Sequence, residues 1–299
     1  MAKQSELIQG VKEIVQDTVF TSEMILDYLN QGLRYIAGGV FFQYPDRTQV
    51  ISSPLPDLST SGDLETSVSN PYISMPSDYG RNLFFLVSST TEIEIEIYDS
   101  LEELLRIYPL LDDTNRVVAA AVRGTRLYYQ GYPSTAEDLV AYYHRVPTNM
   151  TTYTASTISF AESGSRISDS ASDASTGFGL LSVGQTVDFT GTTSNNTDFV
   201  ISAIATDYSY ITVTTAPTDE AAGDSMTVKS RPLGIPIHLA ESLLENYCAW
   251  KIFERKTKND IPMEAEAKRY HGLFLGSMLS LEAAIESVPG TNQFSLSGY

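Results

Sequence analysis

Along the chain the spacing of apolar positions switches between helical and strand periods, and the switches mark its elements. Leu7, Val11, Ile14 and Val15 fall on one face of an opening helix. The stretch "TSEMILDYLNQGLRYIAGGV" then sets Met24, Ile25, Tyr28, Leu29, Leu33 and Ile36 at helical spacing, which predicts a second helix. Thr21 or Ser22 suits its N-cap, and Gly38-Gly39 its end. From Thr48 to Ser100 the pattern shortens. Pro54, Pro56, Pro71 and Pro76 exclude long helices and central strands, and "ISMPSDYGRNLFFLVSS" reads as loop, then strand. "TEIEIEIYD" alternates Glu92, Glu94 and Glu96 with Ile93, Ile95 and Ile97, which predicts a strand with carboxylates on one face and isoleucines on the other. A carboxylate row of this kind reads as a solvated face, with cation binding as the sharper alternative. "SLEELLRIYPLL" predicts a short helix, "RVVAAAVRGTRLYYQG" a hairpin turning near Gly124, and "DLVAYYHRVP" a strand ending at Pro147.

Residues 151–230 follow different rules, with thirty Ser or Thr and short β-rich runs such as "VGQTVDFTG", "DFVISAIATD" and "SYITVTTA" between turn clusters. Their spacing predicts a small antiparallel sandwich or barrel. Helical spacing then returns. Ala240, Leu243, Leu244, Tyr247, Cys248 and Ile252 share one face after Pro236, and Ala267, Tyr270, Phe274, Met278, Leu281 and Ile285 share another. Burying six side chains per helix is worth roughly 10–20 kcal/mol gross, before conformational entropy is set against it. Neither the early nor the late helical faces can stay in water, so the late helices are expected to pack on the early ones. The expected fold is therefore α+β: a helical bundle with a small β region, interrupted by an inserted antiparallel β module. Its domains are residues 1–150, the insert 151–230, and residues 231–299 with a C-terminal arm.

Composition sharpens this. With 299 residues, 42% of them hydrophobic and 19% charged, the chain can bury a substantial core. Its 19 basic against 37 acidic residues give a net charge of −18. That balance argues against a sequence-reading DNA binder and favours low adherence to polyanions. Nine acidic and two basic residues fall within 151–230. The opening "MAKQSELIQGVKEIVQD" lacks the apolar core of a signal peptide, and no run approaches spanning length, so synthesis in a cytoplasm is expected. Cys248, the single cysteine, permits no intramolecular disulfide and reads as packing on an apolar face rather than as a nucleophile.

No constellation asks for an enzyme. His144, His238 and His271 stand in no ligand spacing, "GFGLLSVG" lacks the Lys of a phosphate loop, and no G-x-S-x-G elbow occurs. Asp112-Asp113 and the Asp169/Asp173 pair could assist a cation, yet both sit in loop chemistry. No catalytic residue, metal ligand or cofactor is assigned. One basic cluster stands out: Lys251, Arg255, Lys256 and Lys258, with Lys268 and Arg269 on the next helix. Helix-dipole compensation explains it; a docking face for an acidic partner or a duplex backbone is the sharper reading. At the end of the chain, "SVPGTNQFSLSGY" is uncharged beyond Pro289-Gly290, and Phe294, Leu296 and Tyr299 suit an extended arm anchored on a partner. Fraying of the terminus is the alternative.

In order, "MILDYLNQGLRYIA", "YISMPSDYGRNLFFL", "AAAVRGTRLYYQGYPSTAEDLVAYYHRVP" and "IPIHLAESLLENYCAWKIFERK" resemble the head-to-tail adaptor family of short-tailed bacteriophages. The resemblance covers about residues 20–150 and 231–285, and residues 151–230 resemble a small β module common in phage virion proteins. What it implies is a structural virion protein of the neck or tail. Subunits would form a ring, a dodecamer, between the portal protein and the tail nozzle, through which genomic double-stranded DNA passes without sequence-specific binding. The inserted module could then meet a tail fibre or spike. Adaptors of the simplest kind lack the insert, so its role does not carry over. Two rivals stand beside this reading: a receptor- or glycan-binding virion protein with the β module as its head, and a wall hydrolase using Glu and Asp. The single Trp, Trp250, lies outside the module, which weighs against a sugar-stacking platform there.

Overall fold

A computed structural model describes residues 3–43, 49–257 and 262–286. These residues divide into two compact units, one made of those before 54 with those after 146 and the other of 54–146.

The first unit opens with α1 (Gln4–Val15) and α2 (Ser22–Gly38). Leu7, Val11 and Val15 of α1 and Ile25, Leu29, Leu33 and Ile36 of α2 are buried, as their spacing predicts. Thr21 accepts a hydrogen bond from the Met24 amide at 3.3 Å, and Gly39 closes α2 at φ 100°, which favours glycine. A two-stranded ribbon follows, β1 (Phe41–Gln43) with β2 (Gln49–Ile51), with Phe42 buried and its neighbour Phe41 facing out opposite Ile51.

The second unit holds β3 (Ser59–Glu65), β4 (Tyr72–Ser74), β5 (Tyr79–Ser88), β6 (Glu96–Tyr98), α3 (Leu101–Ile107), β7 (Ala119–Arg123), β8 (Arg126–Tyr129) and β9 (Asp138–Arg145). They form an antiparallel sheet in the order β3-β9-β5 and a four-stranded sheet in the order β4-β8-β7-β6. β6 and β7 are parallel, which demands a crossover, and α3 supplies it. The period of two in β7 decides what each face meets. Ala119 and Ala121 pack under Leu101 and Leu104 of α3, while Ala120 joins Leu86, Leu127, Tyr129, Leu139 and Tyr143 in the core between the sheets. The turn from β7 to β8 falls at Gly124, φ 63°.

Returning to the first unit, β10 (Thr152–Ala155), β11 (Ile158–Ala161), β12 (Arg166–Asp169), β13 (Thr186–Thr190), β14 (Asp198–Ile204), β15 (Tyr210–Val213) and β16 (Met226–Ser230) make one antiparallel sheet. Its order is β10-β16-β13-β14-β15-β12-β11. Phe160 on the edge strand β11 nevertheless lies 5.1 Å from Phe189 on β13, ring to ring, so the sheet curls until distant strands share a core. The register shift between Ile201 and Ala203 lets β14 bend. Finally α4 (Ile237–Thr257) packs on α1, α2 and α5 (Pro262–Glu286).

Two expectations are corrected. The fold is not a helical bundle with a small β region: five helices stand beside sheets of two, three, four and seven strands among the described residues, and strands occupy about as much chain as helices. Only the broader α+β class stands. The Pro-rich stretch after Thr48 forms strands of three to ten residues because prolines sit between them, as at Pro54, Pro71 and Pro76, rather than inside them. "TEIEIEIYD" is also not one strand. Glu92 takes a positive φ of 54°, its amide donates to the Ser88 carbonyl, and only residues 96–98 pair as β6. The carboxylates do face solvent, but so does Ile93, while Ile95 is buried.

Candidate partner-binding surfaces

The basic cluster of the α4–α5 hairpin is paired within its own unit. Lys251 Nζ lies 2.9 Å from Glu254 Oε2 and Lys256 Nζ 2.8 Å from Asp17 Oδ2, while Arg255 donates to the Tyr28 hydroxyl at 3.2 Å. On α5, Lys268 meets Glu264 at 2.6 Å and Arg269 meets Glu266 at 3.3 Å. Lys256 holds the Asp17 carboxyl below the usual carboxylate range, helped by the Val19 amide. Exposed pairs such as Lys268–Glu264 and Arg269–Glu266 add little stability in water, so an acidic partner could exchange for these carboxylates at little cost. Lys258, Phe294, Leu296 and Tyr299 lie outside the described residues.

Beside this cluster, aromatic rings from three helices converge. Trp250 stacks on His271 with centroids 4.2 Å apart, Phe274 lies 5.9 Å from it, and Tyr35 of α2 approaches at 6.3 Å. Lys251 Nζ sits 3.8 Å over the indole. Burial first, and then the Lys251 charge, pushes His271 below its usual range. Its folded pKa lies below the unfolded value, so protonation favours unfolding and stability falls as pH drops through that range. An imidazolium quenches a stacked indole more than an imidazole does, so the single-Trp emission should fall on acidification with a midpoint below about 6.5. His271→Gln should remove the transition. A midpoint above 6.5, or a transition that survives the substitution, would count against this stacking arrangement.

In the second unit, the outward face of the three-stranded sheet carries an aromatic patch. Phe84 and Phe85 are both exposed, at 46% and 36%, although neighbours in a regular strand point to opposite faces. Register shifts on either side of Arg81, with Asn82 at φ 55°, turn both rings outward. Phe85 lies 5.6 Å from Tyr142, and Phe84 lies 5.1 Å from His144, which burial lowers below the usual imidazole range. Sequence spacing could not reveal this patch, because it depends on the bulge.

A third surface is the outer face of α5. Gly272, Gly276 and Ser280 recur every fourth residue and are exposed, and Leu273 is 45% exposed beside them. A Cβ added to either glycine would meet nothing within 4 Å. Packing inside the chain therefore does not require glycine at these positions.

The positions singled out for chemistry are occupied by structural roles. Asp169 accepts from Thr157, from the Ala171 amide and from Ser172, and Asp173 accepts from Ser175. Asp113 accepts from Asn115. Cys248 is buried among apolar side chains, which pushes its thiol up. Among the described residues no group of three or more His, Cys, Asp or Glu converges to hold a metal, and no helix is long and apolar enough to cross a membrane.

No curated protein matches the chain. Among solved structures, the flagellar hook junction protein FlgK from Burkholderia pseudomallei aligns at 10% identity over 96% of this chain and 60% of that one, with a TM-score of 0.12. This chain thus spans about three fifths of that structure's length, and a likeness so weak carries no argument about fold or function. A family model described as SU10 adaptor protein matches residues 3–170. That span exceeds half of the 299 residues and runs from α1 through β12. The chain belongs to the SU10 adaptor protein family, a phage adaptor-type family of structural proteins.

Proposed function

We propose that this chain is the head-to-tail adaptor of a short-tailed phage, adding as a dodecameric ring beneath the portal, extending the DNA channel and presenting a surface to the tail nozzle. The family match over residues 3–170 carries this reading. The net charge of −18 supports it, because a channel wall poor in cations does not hold the phosphate backbone. Uncovered apolar surface supports it too, since exposed clusters such as Phe84, Phe85 and Tyr142 mark contact sites. The basic residues Lys251, Arg255, Lys256 and Lys258, and the segment with Phe294, Leu296 and Tyr299, are the proposed portal contacts. Electron microscopy of the protein mixed with its portal ring tests the reading; added density with the portal's symmetry is expected, and no binding refutes it. Free subunits should remain monomeric by light scattering, because like charge opposes ring closure until a template supplies docking sites.

The α5 face gives this reading a residue-level test. Gly276→Ala should stabilise the free subunit by about 0.5–1 kcal/mol, since the helix gains propensity and the added Cβ meets nothing within 4 Å. Gly276→Leu should leave the monomer folded yet weaken assembly on the portal, because a large side chain keeps a neighbouring backbone away. Thermal melts and portal-binding titrations read the two effects separately. Unimpaired assembly of Gly276→Leu would remove this face from the ring contact.

A further inference from the structure

Between α1 and α4 lies an open cleft of about 370 Å³ lined by four carboxylates, Glu6 and Glu13 from α1 and Glu241 and Glu245 from α4; Glu6 accepts from the Lys3 amide at 2.8 Å and Glu13 from Gln9 at 2.9 Å. Ser5, Gln9 and Gly10 complete the described lining, which contains no lysine or arginine, and α2 and α5 contribute no charged group to it. Lys12 of α1 is turned toward Ser22, donating at 2.8 Å. Glu245 sits deepest. A Cβ added to Gly10 would overlap its carboxylate, so the group is lodged in the notch that a glycine leaves in α1. The neighbouring polar side chain on its own helix, Cys248, is a buried thiol that offers no compensating charge.

The forces on α1 are therefore opposed. Leu7 and Val11 are fully buried, Gln4 donates to the Thr151 carbonyl at 3.3 Å and accepts from Thr152 at 2.6 Å, and the Lys256–Asp17 pair ties down the turn after the helix. Against these stands a like-charge group whose central member, Glu245, is lodged where Gly10 leaves no side chain. We propose that α1 is a proton-gated strap over α4, docked while Glu245 is neutral and loosened as a unit when Glu245 ionises beside Glu13 and Glu241. Burial, and then Glu241 and Glu13, pushes the Glu245 carboxyl up to about 7, which places the transition near neutrality. The sign follows from linkage. The docked state binds the proton more tightly than the open state, so docking is strongest at low pH and weakens as pH rises through this value. The inference concerns this chain's own folding and stands independently of the adaptor reading.

Hydrogen exchange on the full chain tests it. Once intrinsic exchange is corrected for, α1 amides should lose roughly three- to tenfold protection between pH 6 and pH 8, while α5 amides do not follow. In Glu245→Gln the α1 helix should stay protected at pH 8 and lose its pH dependence. Glu13→Gln and Glu241→Gln should each shrink the dependence without abolishing it, and they provide the readout if Glu245→Gln folds poorly. Equal corrected protection at both pH values in the unaltered chain would overturn the strap, as would an undiminished pH dependence in Glu245→Gln or in both of the other variants.

Discussion

Arg231→Ala is expected to destabilise the protein by about 3–5 kcal/mol, read by chemical denaturation at neutral pH. The Arg231 side chain is 6% exposed and clamps Asp188 with a two-pronged contact, Nε to Oδ2 at 2.8 Å and Nη2 to Oδ1 at 2.5 Å. Asp198 approaches the same nitrogen at 3.4 Å. The guanidinium thus joins β13, β14 and the end of β16, where the Arg231 amide donates to Thr186 and its carbonyl accepts from Gln185. Truncation leaves the Asp188 carboxylate, 13% exposed, without its ion-pair partner. The cost comes mainly from that stranded charge, not from the strength of the pair. A double change, Arg231→Met with Asp188→Leu, should therefore recover most of the loss. Arg231→Lys should recover less, because an ammonium cannot reproduce the fork. A loss below 1 kcal/mol in Arg231→Ala would mean that the pair is solvated and that this end of the sheet is open.

The elements most legible in the sequence are those with the longest coherent period. Over α2 and α4 the apolar stripe repeats through several turns, and the residues it marks, such as Leu29, Leu33, Leu244 and Cys248, are buried. Strands of three residues, as in β1, β2, β4 and β6, allow at most one alternation. Their pairing partners come from elsewhere in the chain, so short strands give little signal and the helices look dominant. Bulges defeat the period of two outright, which is why the outward pair Phe84 and Phe85 could not be foreseen. Charge clusters mislead for a related reason. Lys256 and Arg255 look unpaired beside Lys251 and Lys258 in the sequence, but their partners Asp17 and Tyr28 come from the turn after α1 and from α2. Glu245 carried no signal at all, since its environment depends on a glycine in α1. The acidic excess, by contrast, was readable from composition alone, and it bears on function without reference to the fold.

Phe189→Ala should cost about 3–5 kcal/mol, and it decides whether residues 151–230 behave as an inserted module. Phe189 on β13 is 1% exposed, with Phe160 at 5.1 Å and Phe199 at 5.9 Å, both in edge-to-face geometry. Its removal opens a cavity where the curled sheet closes on itself, so the sheet bears the full loss. Whether the helices share the loss depends on the links between them. Asn30 exchanges hydrogen bonds with Met150 at 2.9 and 2.8 Å, and Gln4 holds Thr151 and Thr152. All of these links lie at the entrance to the sheet rather than in its core. The ends of the segment are also adjacent, as the Thr151 amide donates to Ser230 Oγ at 2.8 Å and the Ser230 amide donates to the Thr151 carbonyl at 3.0 Å. An autonomous module should therefore melt early in Phe189→Ala while the helices hold. Trp250, the single tryptophan, lies in α4 and reports the helices alone, whereas hydrogen exchange in β13 and β16 reports the sheet. The expected result is a sheet transition moved to lower denaturant with the Trp250 transition in place. If both move together, helices and sheet are one cooperative unit, and residues 151–230 are part of the core fold rather than a guest within it.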